Sequence, residues 1–409
     1  MAAFALPVFV LAAVALLAAT RAVAQTQAAP KPVSLDTELQ PYLAEYALPA
    51  LAAAVVKDGQ VVAVGAVGTR RLGADLPVTR DDRFHLGSDT KAMTALLAGM
   101  AVEEGKLRWD TTVAEAFPEL AQGMDPGLAK VTLVQLLSHT SGVPADNERV
   151  VELLLATASQ DGNLDAMRYW LVSQWVHESL ASAPGTRFEY ANMNYVLAGA
   201  MVERALGGTW EELVTARVFE PLGLRTAGLG PQASVGRVDA PLGHALRGGK
   251  MVAFLGGPNG DNPLVIGPAG TAHMSVLDFA RWAGWNAAGG EQAPRLVKPE
   301  TLAKLHTPVI EMPLRADAKP GTPKRGGYGL GWGQLGFDWS TEPFVFHGGS
   351  NEKNLAHVYL QPGHDFALVV MTNVGGEKAD AAFQALVPAL YARFGPARVD
   401  GAETSAGAK

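Results

Sequence analysis

Strand-forming segments lie near the two ends of this 409-residue chain, and a long stretch of helical character separates them. Near the amino end, the apolar segments 51–56 and 61–67 flank Asp58-Gly59, a pair that tolerates the positive φ angles of a tight hairpin turn. This arrangement predicts an α+β fold: an antiparallel sheet formed by both chain termini, flanked by helices, with a mostly helical inserted subdomain. The sheet subdomain is expected at about 35–80 and 325–395, and the helical subdomain at about 81–324. The late strand signals lie at 328–333, 344–346, 355–360 and 366–372.

Two segments with helical spacing flank the strand segments, and each contains a proline. Proline lacks the backbone N–H of a helical hydrogen bond, and its ring crowds the preceding turn. We therefore expect Pro41 to bend or delay the first helix and Pro388 to kink the last. The apolar residues are Leu39, Tyr42, Leu43 and Tyr46 in the first segment and Phe383, Leu386, Val387, Leu390 and Phe394 in the last.

The amino-terminal segment carries the features of an export signal. An apolar run at 4–19 is short for a membrane span, and Ala22-Val23-Ala24 places small residues where a signal peptidase cleaves. We expect a signal peptide at 1–24, a polar lead-in at 25–34, and a periplasmic or secreted protein with no stable membrane span after cleavage. A retained anchor helix is the alternative, because only the terminal amine is positively charged before the apolar run. The small, polar residues 396–409 predict a disordered tail.

The balance of charged residues limits the partners of this chain. Asp and Glu outnumber Lys and Arg by 40 to 33, which gives a formal charge of −7 and a pI near 5.7. A nucleic-acid surface would need clustered basic residues, so we expect no nucleic-acid partner. The sequence contains no cysteine, which excludes disulfides, thiolate metal ligands and a cysteine nucleophile. We expect no metal and no cofactor, a small-molecule or peptide substrate, and a monomer.

Ser88 and Lys91 lie where a strong helical pattern begins. Residues three apart on a helix share a face, so the Ser88 hydroxyl and the Lys91 amine can meet. A serine hydroxyl is a weak nucleophile until a neighbour removes its proton. A lysine can do this only if burial or positive potential lowers its pKa from about 10.4. The alternative interpretation is a serine N-cap followed by an exposed lysine. The apolar face of this helix is formed by Met93, Leu96, Leu97 and Met100, and Gly105 suits its end.

Two further motifs contain residues suited to acyl-transfer chemistry. The turn-rich loop 184–192 holds Tyr190 and Asn192: a phenol can relay a proton, and a primary amide can bind a substrate amide. The motif His347-Gly348-Gly349-Ser350 directly follows the apolar strand segment 344–346. Its glycines would let a substrate backbone approach the strand edge, where free N–H groups could form half of an oxyanion hole. Each motif alone has a purely structural alternative. Tyr190 could be a packed aromatic side chain, and the segment 347–350 could be a turn.

In this order, the three motifs resemble those of the serine β-lactamase and penicillin-recognising family. The branch is that of class C β-lactamases, D-alanyl-D-alanine carboxypeptidases and related esterases. The resemblance implies a β-lactamase/transpeptidase-like fold, with one serine hydrolase domain at 35–395. It extends through connecting segments at 131–144, 218–226, 268–270 and 328–333.

The resemblance also implies roles for single residues. By motif, Ser88 corresponds to the nucleophile that forms an acyl-enzyme, and Lys91 to its hydrogen-bonded base partner. Tyr190 corresponds to the proton-relay tyrosine, and Asn192 to the residue that binds the substrate amide. The backbone N–H groups of Ser88 and Ser350 are expected to form the oxyanion hole.

The third motif departs from the β-lactamase pattern. His347 stands where β-lactamases usually carry the Lys of Lys-Thr-Gly, Gly348 replaces the Thr, and Gly349 keeps the glycine. These three residues are expected to line the substrate site, but a fixed positive charge and a hydroxyl that grip a substrate carboxylate are missing. If His347 orients the substrate or tunes the Tyr190–Lys91 pair, activity should respond to pH near about 6.5.

The sequence therefore favours an exported serine hydrolase that cleaves an amide or an ester, of the DD-peptidase or esterase type. Two alternatives stay open: a β-lactamase proper, and a penicillin-sensor-like binding module that keeps the fold without turning over. Intact Ser88, Lys91 and Tyr190 favour the enzyme. The loops at about 145–180 and 240–265 are expected to set the shape of the substrate pocket.

Overall fold

The large sheet of this protein takes its strands from both ends of the chain, as the sequence predicts. The computed structural model describes residues 31–255, 260–312 and 322–397. The predicted signal peptide at 1–24, most of the lead-in and most of the tail at 396–409 lie outside these ranges. The strands are Val33–Ser34 (β1), Ala50–Lys57 (β2), Gln60–Gly68 (β3), Arg83–His85 (β4), Gly228–Leu229 (β5), Gly243–Arg247 (β6), Lys250–Phe254 (β7), Ala272–Ser275 (β8), Ile310–Glu311 (β9), Arg325–Tyr328 (β10), Gly333–Gly336 (β11), Phe344–Ser350 (β12), Leu355–Gln361 (β13) and Phe366–Thr372 (β14).

The nine strands of the large sheet follow the order β1-β3-β2-β14-β13-β12-β11-β10-β9. The early hairpin β2–β3 turns at Asp58 and Gly59, whose φ angles of 48° and 68° fit the predicted tight turn. Strand β2 then pairs antiparallel with β14, which joins the two ends of the chain. One pairing differs from the predicted antiparallel pattern, because the two-residue strand β1 runs parallel to β3.

Helices cover both faces of the large sheet. One face packs on the main core, in which the side chains of β2, β13 and β14 meet the helix at 276–287 and the other helices of the inserted region. The opposite face packs on the first and last helices, through residues such as Leu39 and Phe383. The α-helices are Asp36–Glu45 (α1), Thr90–Glu103 (α2), Val113–Ala116 (α3), Leu133–Leu137 (α4), Glu148–Thr157 (α5), Leu164–Trp175 (α6), Asn192–Leu206 (α7), Trp210–Val214 (α8), Gly267–Gly270 (α9), Val276–Ala287 (α10), Pro299–His306 (α11) and Glu377–Phe394 (α12).

The inserted region also contains β-structure that the sequence does not predict. A three-stranded sheet of order β4-β8-β5 and the hairpin β6–β7 lie between the two halves of the large sheet along the chain. Strand β4 leads directly into the turn that carries Ser88. This small sheet therefore supports one side of the candidate site.

One local prediction differs from the structure. The segment 328–333 is not one strand: Tyr328 ends β10, Gly333 begins β11, and 329–332 form the turn between them, in which Gly331 has a φ of 77°. The burial of Leu330 and Trp332 on either side of that glycine produces the strand-like pattern. Helix α1 begins at Asp36 and continues through Pro41, so Pro41 does not delay it; α12 is one helix that includes Pro388, and a bend at Pro41 and a kink at Pro388 stay predictions. In the described part of the chain, we find no helix with the length and apolar character needed to cross a membrane.

Candidate active site

Ser88 and Lys91 meet at the amino end of helix α2. Ser88 lies in a single turn of 3-10 helix, Gly87–Asp89, and α2 begins at the next residue. The Lys91 side chain is fully buried, and its Nζ lies 3.0 Å from Ser88 Oγ. The alternative interpretation, a serine N-cap followed by an exposed lysine, is therefore wrong, because Lys91 is buried and the N-cap of α2 is Asp89.

Two oxygen atoms complete the surroundings of the Lys91 amine. Nζ lies 2.7 Å from Asn192 Oδ1 and 2.8 Å from the backbone oxygen of Ala269. Burial is the main influence on Lys91 and lowers its pKa to about 7, while the nearby carboxylates of Asp146 and Asp89 oppose this shift. The amine is thus close to half-deprotonated at neutral pH.

Asn192 is the first residue of helix α7, and an aspartate fixes the orientation of its amide. Its Nδ2 donates to Asp146 Oδ2 at 2.6 Å, and its backbone N–H donates to Asp146 Oδ1 at 3.1 Å. A carboxylate only accepts hydrogen bonds, so Asp146 turns the amide nitrogen towards itself and the amide oxygen towards Lys91. The structure thus places the predicted amide-binding residue against the lysine.

Tyr190 lies above the Ser88–Lys91 pair and brings its hydroxyl into the site. The hydroxyl lies near the Ser88 side chain, and the ring centroid lies 4.7 Å from Lys91 Nζ. Burial of this hydroxyl raises its pKa well above the ordinary value, so it stays protonated. The residue is 36% exposed, and its ring packs against buried His139 at a centroid distance of 4.3 Å and an interplanar angle of 32°.

The motif at 347–350 forms an open strand edge beside Ser88. Strand β11 pairs with β12 only as far as Phe346, so no strand of the described residues pairs with this side of β12 beyond that point. A Cβ atom on Gly349 would lie 2.5 Å from the backbone nitrogen of Ser88, and one on Gly87 would lie 2.4 Å from that of Ser350. The two backbones therefore touch where the residues without side chains face each other, and this contact brings the nitrogens of Ser88 and Ser350 close together.

A cavity of about 400 Å³ extends along this open edge. Its walls are mostly apolar or aromatic, and no lysine or arginine lines it within the described ranges of the chain. Its lining includes Phe188, Tyr190, Met312, Tyr328, Phe346 and His357.

The family model described as Beta-lactamase matches residues 35–393 of this sequence. This chain belongs to the Beta-lactamase family. The predicted family and the predicted α+β fold class are therefore both confirmed.

Curated and solved relatives agree with this membership. Protein flp of Staphylococcus aureus (strain NCTC 8325 / PS 47) is 23% identical over 343 residues, which cover 84% of this chain but only 63% of that protein. The chain thus spans less than two thirds of its length. Penicillin-binding protein 4 of Amycolatopsis lactamdurans is 27% identical over 343 residues, with 81% of this chain and 82% of that protein covered. The structure of the octameric penicillin-binding protein homologue from Pyrococcus abyssi is similar, with a TM-score of 0.70, 25% identity, and 87% of this chain and 76% of that chain covered.

Protein groups contact both ring nitrogens of His347. Nε2 lies 3.0 Å from the Tyr328 hydroxyl, and Nδ1 lies 3.0 Å from the backbone oxygen of Gly348 and 3.5 Å from Asp89 Oδ1. A carbonyl oxygen only accepts, so Nδ1 carries the proton and Nε2 accepts from Tyr328. Burial, with a further contribution from the Lys91 charge, lowers the pKa of His347 to about 3. The ring is therefore neutral at physiological pH, which contradicts the expected response near pH 6.5.

Three groups at the site are not predicted from the sequence. Asp146 and the backbone oxygen of Ala269 are distant along the chain from the residues that they contact, and neither belongs to a recognisable spacing. Asp89 directly follows the serine and is 1% exposed, and neither carboxyl oxygen has a hydrogen-bond partner within the described residues. Burial raises its pKa well above the ordinary value, against the influence of Lys91. In the sequence, only the position of Asp89 between Ser88 and Lys91 points to a place in the site.

Proposed function

We propose that this protein is an exported serine hydrolase of the Beta-lactamase family that cleaves an ester or an amide through an acyl-enzyme on Ser88. The observation that carries the proposal is the set of three oxygen atoms around Lys91 Nζ. Two of them belong to carbonyl groups, of Asn192 and Ala269, which can only accept hydrogen bonds. The third is the Ser88 hydroxyl oxygen, which can also donate.

These three oxygen atoms can accept from an ammonium, and they suit a neutral lysine as well. An uncharged amine has two N–H donors and one lone pair; the two carbonyl oxygens take the donors, so the lone pair is left for the Ser88 hydroxyl proton. A pKa of about 7 makes this form available at neutral pH. Lys91 then acts as the general base for attack by Ser88.

The proposed reaction proceeds in two halves. Ser88 Oγ attacks the substrate carbonyl carbon as its proton moves to Lys91, and the bond from carbon to the leaving oxygen or nitrogen then breaks. The leaving group takes a proton through the Tyr190 hydroxyl, which is held beside Ser88. Water attacks the acyl carbon in the second half, the ester to Ser88 breaks, and the serine recovers its proton.

Backbone amides are proposed to stabilise the negative oxygen of the tetrahedral intermediate. The N–H groups of Ser88 and Ser350 are the candidates, because the Ser88 turn and the open edge of β12 are in contact. Preorganised donors of this kind contribute about 3–4 kcal/mol each to transition-state stabilisation.

The lining of the cavity beside β12 favours substrates whose part bound there carries no charge. The cavity offers aromatic and apolar walls, and its His347 is neutral, so nothing among its described lining provides a fixed cation for a carboxylate. We therefore propose esters, or amides without an essential carboxylate, as better substrates than β-lactams.

Location and assembly are also proposals. The signal-like sequence at 1–24 supports export to the periplasm or the medium. We propose a monomer, although the Pyrococcus abyssi homologue is octameric. Light scattering on the purified protein distinguishes the two states.

One panel of assays tests the proposed function. Wild type and Ser88→Ala are incubated with nitrocefin, a short acyl ester and a D-Ala-D-Ala peptide, and intact mass is recorded at early times. We expect turnover of the ester and a transient acyl adduct on wild type, with neither in Ser88→Ala. A stable nitrocefin adduct without turnover of any substrate would instead identify a sensor, and rapid nitrocefin hydrolysis would identify a β-lactamase.

A further inference from the structure

A buried carboxylate outside the proposed catalytic set contacts both sides of the site. Asp261 lies in the connection between β7 and α9, and its side chain is 3% exposed. Its Oδ1 lies 2.8 Å from His85 Nε2 and 2.9 Å from Asn351 Nδ2. Burial alone would raise the pKa of this carboxyl, but His85 and Asn351 outweigh it and lower the pKa below its ordinary value. Asp261 is therefore ionised at neutral pH.

The first contact leads to the turn that carries Ser88. His85 is the last residue of β4 and is fully buried. Its Nδ1 accepts a hydrogen bond of 3.0 Å from the backbone N–H of Gly87, so the proton of a neutral ring is on Nε2, which faces Asp261. The Nε2–Oδ1 approach is close, although it is not aligned as a good hydrogen bond. His85 does not contact the Ser88 hydroxyl in this way, so the His85–Asp261 pair cannot serve as a base for Ser88.

The second contact leads to the end of β12. Asn351 directly follows Ser350 and is 5% exposed. It donates to Asp261 through Nδ2, while its Oδ1 accepts from Asn354 Nδ2 at 2.9 Å. The strand end is thus fixed to the same carboxylate oxygen that holds His85.

The contacts of Asp261 with His85 and with Asn351 lie on the two sides of the gap between the Ser88 turn and β12. The Ser88 turn and the β12 edge come from chain segments more than 250 residues apart, and their backbones touch at Gly87 and Gly349. Touching backbones do not by themselves hold a fixed spacing between the nitrogens of Ser88 and Ser350. The charged Asp261 contacts His85 on the Ser88 side and Asn351 on the Ser350 side, and charge-assisted contacts of this kind can hold that spacing.

We propose that Asp261 is a positioning residue that holds the two halves of the oxyanion hole in register. The proposal rests on the proposed function, in which the N–H groups of Ser88 and Ser350 form the oxyanion hole. Asp261 would set the distance between these two groups. The proposal predicts that loss of the carboxylate lowers kcat and leaves substrate binding nearly unchanged, since the oxyanion develops only in the transition state.

The test compares wild type with Asp261→Ala and Asp261→Asn. The Asn variant keeps an oxygen that can accept from both His85 and Asn351, so it should lose less activity than the Ala variant. Asp239→Ala is the matched control: Asp239 also belongs to a loop beside β4, at 3.6 Å from Arg83, but its hydrogen bonds are to Ser234 in its own loop and not to the Ser88 turn or the β12 end. Turnover of a short acyl ester and hydrogen–deuterium exchange of the segments around Ser88 and Ser350 are measured on each protein.

We expect kcat of Asp261→Ala to fall by about 10- to 100-fold with little change in KM, as for a displacement of the oxyanion donors. Exchange should accelerate in both segments, and Asp239→Ala should match wild type. If Asp261→Ala does not fold, Asn351→Ala removes the strand contact of Asp261, together with the bonds that Asn351 accepts from Lys353 and Asn354, and keeps the His85 contact. It should lower kcat and accelerate exchange around Ser350.

The exchange measurement separates this proposal from the proposed function. If exchange in either segment of Asp261→Ala is unchanged, or if KM rises in proportion as kcat falls, the positioning role is wrong. If wild type forms no acyl adduct but both segments loosen in the variant, the hydrolase proposal fails while the bridging role of Asp261 is supported.

Discussion

The imidazole of His357 fills the space beside Gly348 on the neighbouring strand. A Cβ atom on Gly348 would lie 2.9 Å from His357 Cδ2 and 3.0 Å from its Nε2. The ring is held in place by a 3.1 Å contact between its Nδ1 and the Tyr359 hydroxyl. Gly348 and His357 therefore form a pair, and the threonine of Lys-Thr-Gly would not fit at 348 unless His357 moved.

This packing predicts that even a methyl group at position 348 is costly. Gly348→Ala should lower the free energy of unfolding by about 1–3 kcal/mol, the usual range for overpacking. Gly363→Ala is the control, because a Cβ atom there has open space. Urea unfolding of both variants measures the difference. If Gly348→Ala is as stable as wild type, or if adding His357→Ser does not restore the stability, the two residues do not form such a pair.

The geometry of Lys91 predicts that charge alone cannot replace it. Lys91→Arg should lower kcat/KM by about a hundredfold or more, because a guanidinium stays protonated and cannot accept the Ser88 proton. The buried position among three oxygen atoms also leaves little room for the larger group. Lys106→Arg, at an exposed lysine, should match wild type. Ester hydrolysis is the measurement, and an active Lys91→Arg enzyme would show that only positive charge is needed there.

The features that the sequence predicts correctly depend on neighbours along the chain. The β2–β3 hairpin follows from Asp58-Gly59 and the apolar segments beside it, and the contact between Ser88 and Lys91 follows from a spacing of three on a helix. In the 328–333 segment, the same local reasoning fails. There Leu330 and Trp332 are buried by packing against other elements and not by a place in the sheet.

The features that the sequence does not predict depend on long-range contacts. The oxygen of Ala269 reaches Lys91 across 178 residues, and Asn192 reaches it across 101. The neutral state of His347 has the same origin. From the sequence, a histidine in this motif is expected to titrate near its ordinary pKa, but burial and the nearby charge of Lys91 lower that pKa in the fold and keep the ring neutral.

The Tyr190 hydroxyl is predicted to act in proton transfer and not in packing. Tyr190→Phe keeps the ring that packs against His139 and removes only the group that lies near Ser88. We expect kcat to fall by about 100-fold or more, with a nearly unchanged melting temperature. Tyr169→Phe is the control, since that hydroxyl contacts Glu119 away from the site. Pre-steady-state ester kinetics measures the effect. An equal loss in both variants, or a loss of stability that accounts for the lost activity, would contradict the assignment.

The pH dependence of the enzyme is predicted to follow Lys91. Its basic form is needed for attack, and its pKa of about 7 means that this form is lost as pH falls through 7. The value of kcat/KM should therefore rise with pH and level off above about 8. His347, with a pKa of about 3, stays neutral from pH 5 to 9 and should add no second step.

A substitution of Asp146 tests whether the titration of Lys91 causes the pH profile. Its negative charge raises the pKa of Lys91, so its removal should let that pKa fall. In Asp146→Asn the rising limb of kcat/KM should move to lower pH, even if the plateau drops because Asn192 is held less firmly. Asp75→Asn, at an exposed aspartate elsewhere, should leave the limb in place. Profiles are recorded from pH 5 to 9 on an ester that does not titrate in this range. A limb that stays in place in Asp146→Asn, or moves to higher pH, would mean that a group other than Lys91 controls the activity.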